Sequence, residues 1–148
     1  MHGVQANDDM ALIGAWFEAL AAQVRAVDFA GARHLFAEDM IAFGTYSDFV
    51  VGRDTVEEEQ WRRVWPFIEG FRWRLGELKA IVAADRLSAV GMACFDSTGY
   101  DRDGAAYGRP GRATVAFRRG AVGEPWVAQH THMSLFRGTP QQSFGRTA

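Results

Sequence analysis

The sequence has few of the residues that mark a disulfide-stapled, secreted or membrane-spanning protein. Of its 148 residues, only one is cysteine, so Cys94 has no partner for an intramolecular disulfide. A lone cysteine also excludes a redox Cys-x-x-Cys pair and a cysteine-rich zinc site. Residues 1–9 lack the basic and apolar parts of a secretory signal, and no run approaches the roughly 18 apolar residues of a membrane span. We therefore expect a cytoplasmic protein without a membrane partner.

An excess of charge of one sign is also missing. The 16 basic and 18 acidic residues leave a formal net charge of −2 at pH 7. Because proteins that bind duplex nucleic acid normally carry a basic face and a high pI, this balance argues against nucleic acid as a partner. With 48% hydrophobic residues and a length inside the range of about 100–200 residues for one domain, the chain has enough apolar material for a core of its own.

The first half of the chain carries helical patterns. Apolar residues recur at steps of three and four over 10–27, which predicts an amphipathic helix. A capping Asp28 begins a second helix over 28–36, and two short strands follow at 40–44 and 49–51. A third apolar stripe predicts a helix from Asp54 to about Trp65.

After Gly70 the pattern becomes that of strands. Long runs with β-branched and aromatic residues, separated by turns, predict an antiparallel meander over 71–83, 87–99, 112–119 and 126–137. These strands exceed the usual 5–6 residues, as in a strongly curved sheet. Helices followed by a sheet define an α+β fold with the helices laid on one sheet face. The predicted divisions are a polar N-terminal segment (1–9), one domain (10–137) and a loose polar C-terminal tail (138–148).

The last predicted strand carries the residues with the most varied chemistry. Because side chains alternate across a strand, His130, His132 and Ser134 share one face. If the register with the preceding strand is even, Arg112 and Thr114 lie across from the two histidines. The pattern therefore predicts a polar cluster on two neighbouring strands.

Three interpretations of this cluster stay open. Histidine pairs can be hydrogen-bonded wall residues of a sheet. They can also line a ligand cavity, where Arg112 orients an anionic or carbonyl group and a histidine moves protons near neutral pH. As a third interpretation, His130-x-His132 binds a metal with Asp96 or Asp48, although local spacing fixes no third ligand. Our assignment is catalysis by His130, His132 and Arg112, with no metal and no cofactor.

Aromatic residues spread along the chain can form the walls of such a cavity, and each is equally suited to an ordinary core. Tyr46 follows the first short strand, at the open end of the cavity or in a solvated turn. Tyr107 and Arg109 lie in a long glycine-rich loop, where they gate the cavity or extend into solvent. The expected ligand-binding residues are Trp16, Tyr46, Trp61, Trp65, Trp73, Phe95, Thr114 and Ser134.

The order of the elements and four motifs resemble a known family. The motifs are the segments 28–39, 51–54 and 111–119, and Trp126 followed by His-x-His-x-Ser at 130–134. Over about residues 10–137 they resemble the SnoaL-like, ketosteroid-isomerase-like branch of the nuclear-transport-factor-2-like superfamily, and the last motif also looks like the association domain of calcium/calmodulin-dependent protein kinase. The resemblance implies a cystatin-like cone, in which a curved antiparallel sheet holds three helices on its concave side around a pocket. It also implies a homodimer formed through sheet faces.

Two functional hypotheses follow from the resemblance and the residues together. In the first, the protein binds a small organic molecule in an aromatic-lined pocket and, if it is an enzyme, catalyses cofactor-independent proton transfer of isomerase, cyclase or hydratase type. Fold membership alone does not choose among these reactions. In the second, it is a non-catalytic dimerising or ligand-sensing module. The second hypothesis predicts a partner subunit packed on the other strand face, formed by Val115, Phe117, Val127, Met133 and Leu135.

Overall fold

The computed structural model describes residues 2–43 and 48–146, with side chains from residue 8 onward. Its first helix, α1, runs over His2–Ala26 and contains the predicted amphipathic segment 10–27 except for its last residue, Val27. The Asp28 side chain then accepts a 2.9 Å hydrogen bond from the Gly31 amide and caps α2 (Phe29–Ala32). No helix within these described ranges is both long and apolar enough to cross a membrane.

The third helical segment is continuous but changes its winding along its length. It comprises α3 (Arg53–Val56), a π-helical turn (Glu57–Trp61), α4 (Arg62–Val64) and a 3-10 turn (Trp65–Phe67). The predicted end near Trp65 is two residues short, because Pro66 occupies the first turn of the 3-10 helix, where a missing amide hydrogen is tolerated.

Within the described residues, eight strands form one sheet with the order β2-β1-β8-β7-β5-β3, and β4 and β6 also pair with β5. The strands are β1 (Phe36–Phe43), β2 (Val50–Val51), β3 (Glu69–Trp73), β4 (Lys79–Val82), β5 (Ser88–Tyr100), β6 (Ala106–Gly108), β7 (Gly111–Arg118) and β8 (Val127–Leu135). The α+β prediction is confirmed. Two expectations are refined. The predicted strand 71–83 is two strands, β3 and β4, separated by a 3-10 turn over Leu75–Glu77. The predicted helix 28–36 is α2 followed by a 3-10 turn over Arg33–Leu35, and Phe36 already begins β1.

Two features of the sheet have no sequence signature that we recognised. β1 pairs in parallel with β8, whereas the other pairings are antiparallel. Ala116 of β7 pairs with His130 of β8, whereas the next residue, Phe117, pairs with Ala128. Gln129 therefore has no partner in β7 and forms a bulge in β8. Bulges bend a strand and increase its twist, which curves the sheet around the helices.

The two faces of the sheet differ sharply in burial. On the inner face, Val115 and Phe117 are fully buried, and Phe117 packs against Phe17 of α1 with ring centroids 6.1 Å apart. On the outer face, Arg112 and Thr114 are exposed. The expectation that Val115 and Phe117 pack on a partner subunit is therefore wrong, since they belong to the core of this chain.

The C-terminal tail is held firmly as far as residue 146. Ser143 is buried, donates a 2.6 Å hydrogen bond from Oγ to the Phe67 carbonyl, and accepts a 2.9 Å bond from the Tyr100 amide. The Phe144 amide donates to the Tyr100 carbonyl at 2.8 Å. The prediction of a loose tail is wrong for 138–146, because a buried hydroxyl ties it to two other parts of the chain.

Candidate functional site

A cavity of about 80 Å³ lies between the inner face of the sheet and the helices. Its aromatic lining residues are Phe36, Phe43, Trp61, Trp65, Phe71 and Phe95. Its aliphatic lining residues are Leu20, Val24, Val64, Ile68, Met133 and Leu135. The polar ones are Gln60, Arg109, Thr131 and Ser134. Such a hollow, mostly apolar with a few convergent polar groups, is the usual form of a small-molecule site.

One wall of the cavity is a stack of flat side chains. Trp61 and Trp65 are four residues apart on the third helical segment, and their rings stack at 4.9 Å with an interplanar angle of 14°. Trp65 also stacks on Phe29 at 5.4 Å, and the Arg62 guanidinium covers the far side of Phe29 at 4.6 Å. Because Trp65 is held between Trp61 and Phe29, this wall of the cavity is apolar and its rings are fixed in position.

A second wall depends on one glycine. Phe95 of β5 pairs with Gly111 of β7, and a Cβ atom at Gly111 would lie 2.4 Å from Phe95 Cζ and 2.6 Å from the Ser134 carbonyl oxygen. Real Cβ atoms do not come this close to their neighbours. The absence of a side chain at Gly111 is what lets the Phe95 ring lie against β7.

Gln60 contributes a hydrogen-bond donor to the cavity. Its Nε2 atom is buried and has no hydrogen-bond partner among the residues that the structure describes. Gln60 lies in the π-helical turn Glu57–Trp61. Single π-helical turns are rare and occur frequently at functional sites.

Arg109 contributes a positive charge. It is 3% exposed, and its backbone is held to Ser97 on both sides: the Arg109 amide donates to the Ser97 carbonyl at 2.8 Å, and Ser97 Oγ donates to the Arg109 carbonyl at 2.7 Å. Its Nη2 donates to the Gln141 carbonyl of the tail at 3.0 Å. Of the two alternatives for Arg109, gating the cavity or extending into solvent, the structure excludes the solvent-exposed one.

The structure brings only part of the predicted ligand-binding set to the cavity. Trp61, Trp65, Phe95 and Ser134 line it. Trp16 and Trp73 are instead buried in the core outside the lining. Trp16 donates from Nε1 to the Leu35 carbonyl at 2.8 Å, and Trp73 packs edge-on to Phe17 at 4.8 Å. Tyr46 lies outside the described residues.

The predicted polar residues Arg112, Thr114 and His132 do lie on neighbouring strands, but on the outer face. Thr114 pairs with His132, and Arg112 pairs with Ser134, so the register differs by two residues from the expected one. His132, Thr114 and Arg112 are exposed, and none of them lines the cavity. The expectation that these side chains point into the hollow is wrong, because the apolar alternate residues of β7 occupy the inner face. Their catalytic roles stay predictions.

The two histidines contact the neighbouring strand. His130 Nδ1 lies 2.7 Å from the Ile41 carbonyl oxygen, which can only accept, so the ring donates from Nδ1. Both imidazoles pack edge-on to Phe43, with centroids at 5.4 Å for His130 and 5.2 Å for His132. This geometry matches the interpretation of His130 as a hydrogen-bonded wall residue.

Asp96, a candidate metal ligand, forms an ion pair with Arg74. Arg74 donates to both of its carboxylate oxygens at 2.9 Å, and this bidentate contact holds the pKa of Asp96 below its usual value. Among the described residues, no group of three histidine, cysteine or acidic side chains is placed to hold a metal ion.

A buried charge network at the start of the domain went unrecognised in the sequence. Asp9 is 1% exposed and accepts hydrogen bonds from Arg86 Nε at 2.7 Å and from Arg119 Nη2 at 2.7 Å. The Arg119 guanidinium in turn lies 3.9 Å from the centre of the Trp126 ring. Arg86 lies 77 positions from Asp9 in the sequence, and Arg119 lies 110 positions from it. No local sequence pattern therefore predicts this network.

A curved sheet with helices on its inner face and an aromatic-lined hollow between them defines the cystatin-like, nuclear-transport-factor-2-like class of α+β domains. The model of the SnoaL-like domain family matches residues 11–137. The chain therefore belongs to the SnoaL-like family. None of the curated proteins matches the chain significantly.

Solved structures share this fold at low sequence identity. A ketosteroid isomerase-like protein from Erwinia carotovora atroseptica superposes with a TM-score of 0.72 at 18% identity, covering 88% of this chain and 98% of that one. A nuclear transport factor 2-like protein with a cystatin-like fold from Novosphingobium aromaticivorans gives 0.70 at 17%, with coverage of 93% and 88%. A nuclear transport factor 2-like superfamily protein from Salmonella enterica gives 0.68 at 14%, with 97% and 99%. At identities this low, the superpositions establish a common fold and nothing further.

Proposed function

We propose that the protein binds a small organic molecule with a flat apolar part in the cavity between sheet and helices. The observation that carries this proposal is the stacked pair Trp61 and Trp65, which lines a partly polar hollow together with Phe95. Aromatic faces attract flat ligands through dispersion and offset stacking, and a polar group at one end orients them.

Binding has stronger support than proton transfer. The sixteen lining residues that the structure describes include no histidine, acidic residue, lysine, cysteine or tyrosine, so none of them titrates near neutral pH. A cofactor-independent isomerase, cyclase or hydratase is our second candidate. It is favoured by membership of the SnoaL-like family and by the fold shared with a ketosteroid isomerase-like protein. The lone cysteine supports a cytoplasmic location for either activity.

Occlusion of the cavity tests the binding proposal. Val64 lines it from the partly exposed side of α4, so Val64→Phe should fill it with a ring at little cost in folding. The probes are phenol, benzaldehyde and benzyl alcohol, and the measurement is saturation-transfer NMR from protein to probe. Transfer is expected with the unmodified protein and should disappear in Val64→Phe.

The matched control is Val122→Phe, which adds the same ring at an exposed valine outside the cavity lining. Transfer should persist in this variant. The proposal fails if no probe receives transfer from the unmodified protein, or if Val64→Phe and Val122→Phe behave alike.

We also infer a homodimer through the outer face. Ile41, Phe49 and Val51 are exposed apolar residues at the β2-β1-β8 side of the sheet, beside His130 and His132. Adjacent exposed apolar side chains of this kind mark protein contacts. Sedimentation should show twice the mass of one chain, and Val51→Arg should give the monomer, because the added charge would be buried in the contact. A monomeric unmodified protein would contradict this.

A further inference from the structure

The polar lining of the cavity includes hydrogen-bond donors and, within the described residues, no negatively charged side chain. Of the sixteen lining residues within the described part of the chain, none is acidic and one, Arg109, is a cation. Gln60 adds an amide N–H group that is buried and unpartnered there. A ligand that complements the Arg109 guanidinium and the Gln60 amide N–H group brings acceptor atoms, and the arginine favours a negative charge on them.

Arg109 is built into the wall in a fixed position. Its backbone exchanges two hydrogen bonds with Ser97, and its guanidinium donates to the Gln141 carbonyl while the residue is almost fully buried. A guanidinium placed in low-dielectric surroundings interacts strongly with an anionic oxygen, and its planar fork matches the geometry of a carboxylate. The fixed position removes most of the ordering cost on binding.

Gln60 is positioned by the irregular winding of its helix. The π-helical turn Glu57–Trp61 places Gln60 in the cavity lining directly before Trp61, one of the two stacked rings. A buried donor without an acceptor is costly to a fold, and such exceptions call for an explanation. An acceptor oxygen on a bound ligand would explain why this donor has no partner.

The size of the cavity limits the ligand. A volume of about 80 Å³ is well below the range of about 300–1,000 Å³ typical of sites for drug-sized compounds. Since an apolar cavity of about 150 Å³ binds benzene, the site accepts at most one ring, and that ring is only partly enclosed.

We propose that the cavity selects small carboxylic acids with one planar apolar part, whose carboxylate is bound by Gln60 Nε2 and the Arg109 guanidinium while the flat part lies against Trp61. This inference rests on the binding function proposed above and names the class of its ligand. Gln60 acts as the residue that determines specificity, since it adjoins the ring stack and lacks another partner within the described residues.

The test compares benzoate with benzyl alcohol, which has the same ring without the charge. At pH 7, calorimetric or NMR titration should give benzoate an affinity about tenfold higher, as expected for one charge-assisted hydrogen bond. Gln60→Glu, which keeps the size of the side chain but adds a negative charge, should abolish this preference. Gln60→Leu, which removes the donor without adding charge, should reduce the preference as well.

Gln142→Glu is the matched control, because it adds the same charge on an exposed side chain of the tail. It should retain the preference for benzoate, and thermal melting of all variants reports whether each is folded. The inference is overturned if benzoate binds no more tightly than benzyl alcohol, or if folded Gln60→Leu keeps the full preference. In both cases, benzyl alcohol binding that is lost in Val64→Phe leaves the general binding function standing. If neither benzoate nor any of the neutral probes binds, the two proposals are overturned together.

Discussion

Asp9 and Arg119, at opposite ends of the domain sequence, form a 2.7 Å ion pair in which both side chains are withdrawn from solvent. Arg86 completes the network from the other carboxylate oxygen at 2.7 Å. The pair joins α1 to the residue directly after β7 and thereby fixes the helix against the sheet.

Asp9→Asn should lower the free energy of unfolding by about 3 kcal/mol, because removing one partner of a buried pair leaves the other charge uncompensated. Urea denaturation measures the change. Asp8→Asn is the control, since Asp8 is the exposed neighbour with the same chemistry, and its effect should be within about 0.5 kcal/mol. Equal effects of the two substitutions would show that the network contributes nothing specific.

The same carboxylate gives the stability a dependence on pH. Hydrogen bonding from Arg86, with a further contribution from Arg119, holds the pKa of Asp9 below its ordinary value of 3.8. A depressed pKa in the folded state stabilises the fold above the unfolded-state pKa, and this contribution is lost as the pH falls through the folded-state value. The difference in unfolding free energy between the unmodified protein and Asp9→Asn should be constant above about pH 5 and shrink below about pH 4. A difference that stays constant down to pH 2 would contradict this assignment.

Gly111→Ala should disturb both the fold and the cavity. The new methyl group would collide with Phe95 Cζ at 2.4 Å, and overpacking of this kind costs about 1–3 kcal/mol. Thermal unfolding measures the loss, and saturation transfer to benzyl alcohol reports the displaced ring. Gly108→Ala is the control, because a Cβ atom there meets no other atom within 4 Å. Adding Phe95→Leu to Gly111→Ala should recover part of the lost stability, and an unchanged melting temperature in Gly111→Ala would disprove the contact.

Ser143→Ala should release the C-terminal tail. The substitution leaves the Tyr100 amide and the Phe67 carbonyl without their serine partner, at a cost of about 1–3 kcal/mol for buried groups. Trypsin cleavage after the exposed Arg137 should become faster, and the preference for benzoate should fall because the tail carries the Gln141 carbonyl that holds Arg109. Ser88→Ala, at an exposed serine of β5, should alter neither property.

The sequence predicted the elements well because their patterns are local. The periodicity over 10–27 and the cap at Asp28 depend on neighbours within one or two turns, and both are found as expected. Alternation along β7 and β8 correctly grouped Arg112, Thr114 and His132 on one face. Alternation does not say which face of the strand is the inner one. The large apolar side chains of Val115 and Phe117 were the available indication that their face is buried.

The polar end of the cavity could not be predicted from the sequence. Gln60 reaches the cavity through a π-helical turn, which the apolar spacing of an ordinary helix does not reveal. Arg109 was identified only as a loop residue, and its burial depends on Ser97 and the tail, which are distant in sequence. Long-range contacts therefore decide the chemistry of this site, while local patterns decide its scaffold.

The parallel pairing of β1 with β8 also has a consequence for biosynthesis. During synthesis, β1 emerges from the ribosome early. Its partner on one side is β8, which ends at Leu135 and emerges much later. Until that strand emerges, one edge of β1 stays open to unwanted pairing with other nascent chains. Completion of the sheet is thus a late, non-local event, and non-local pairing of this kind slows folding.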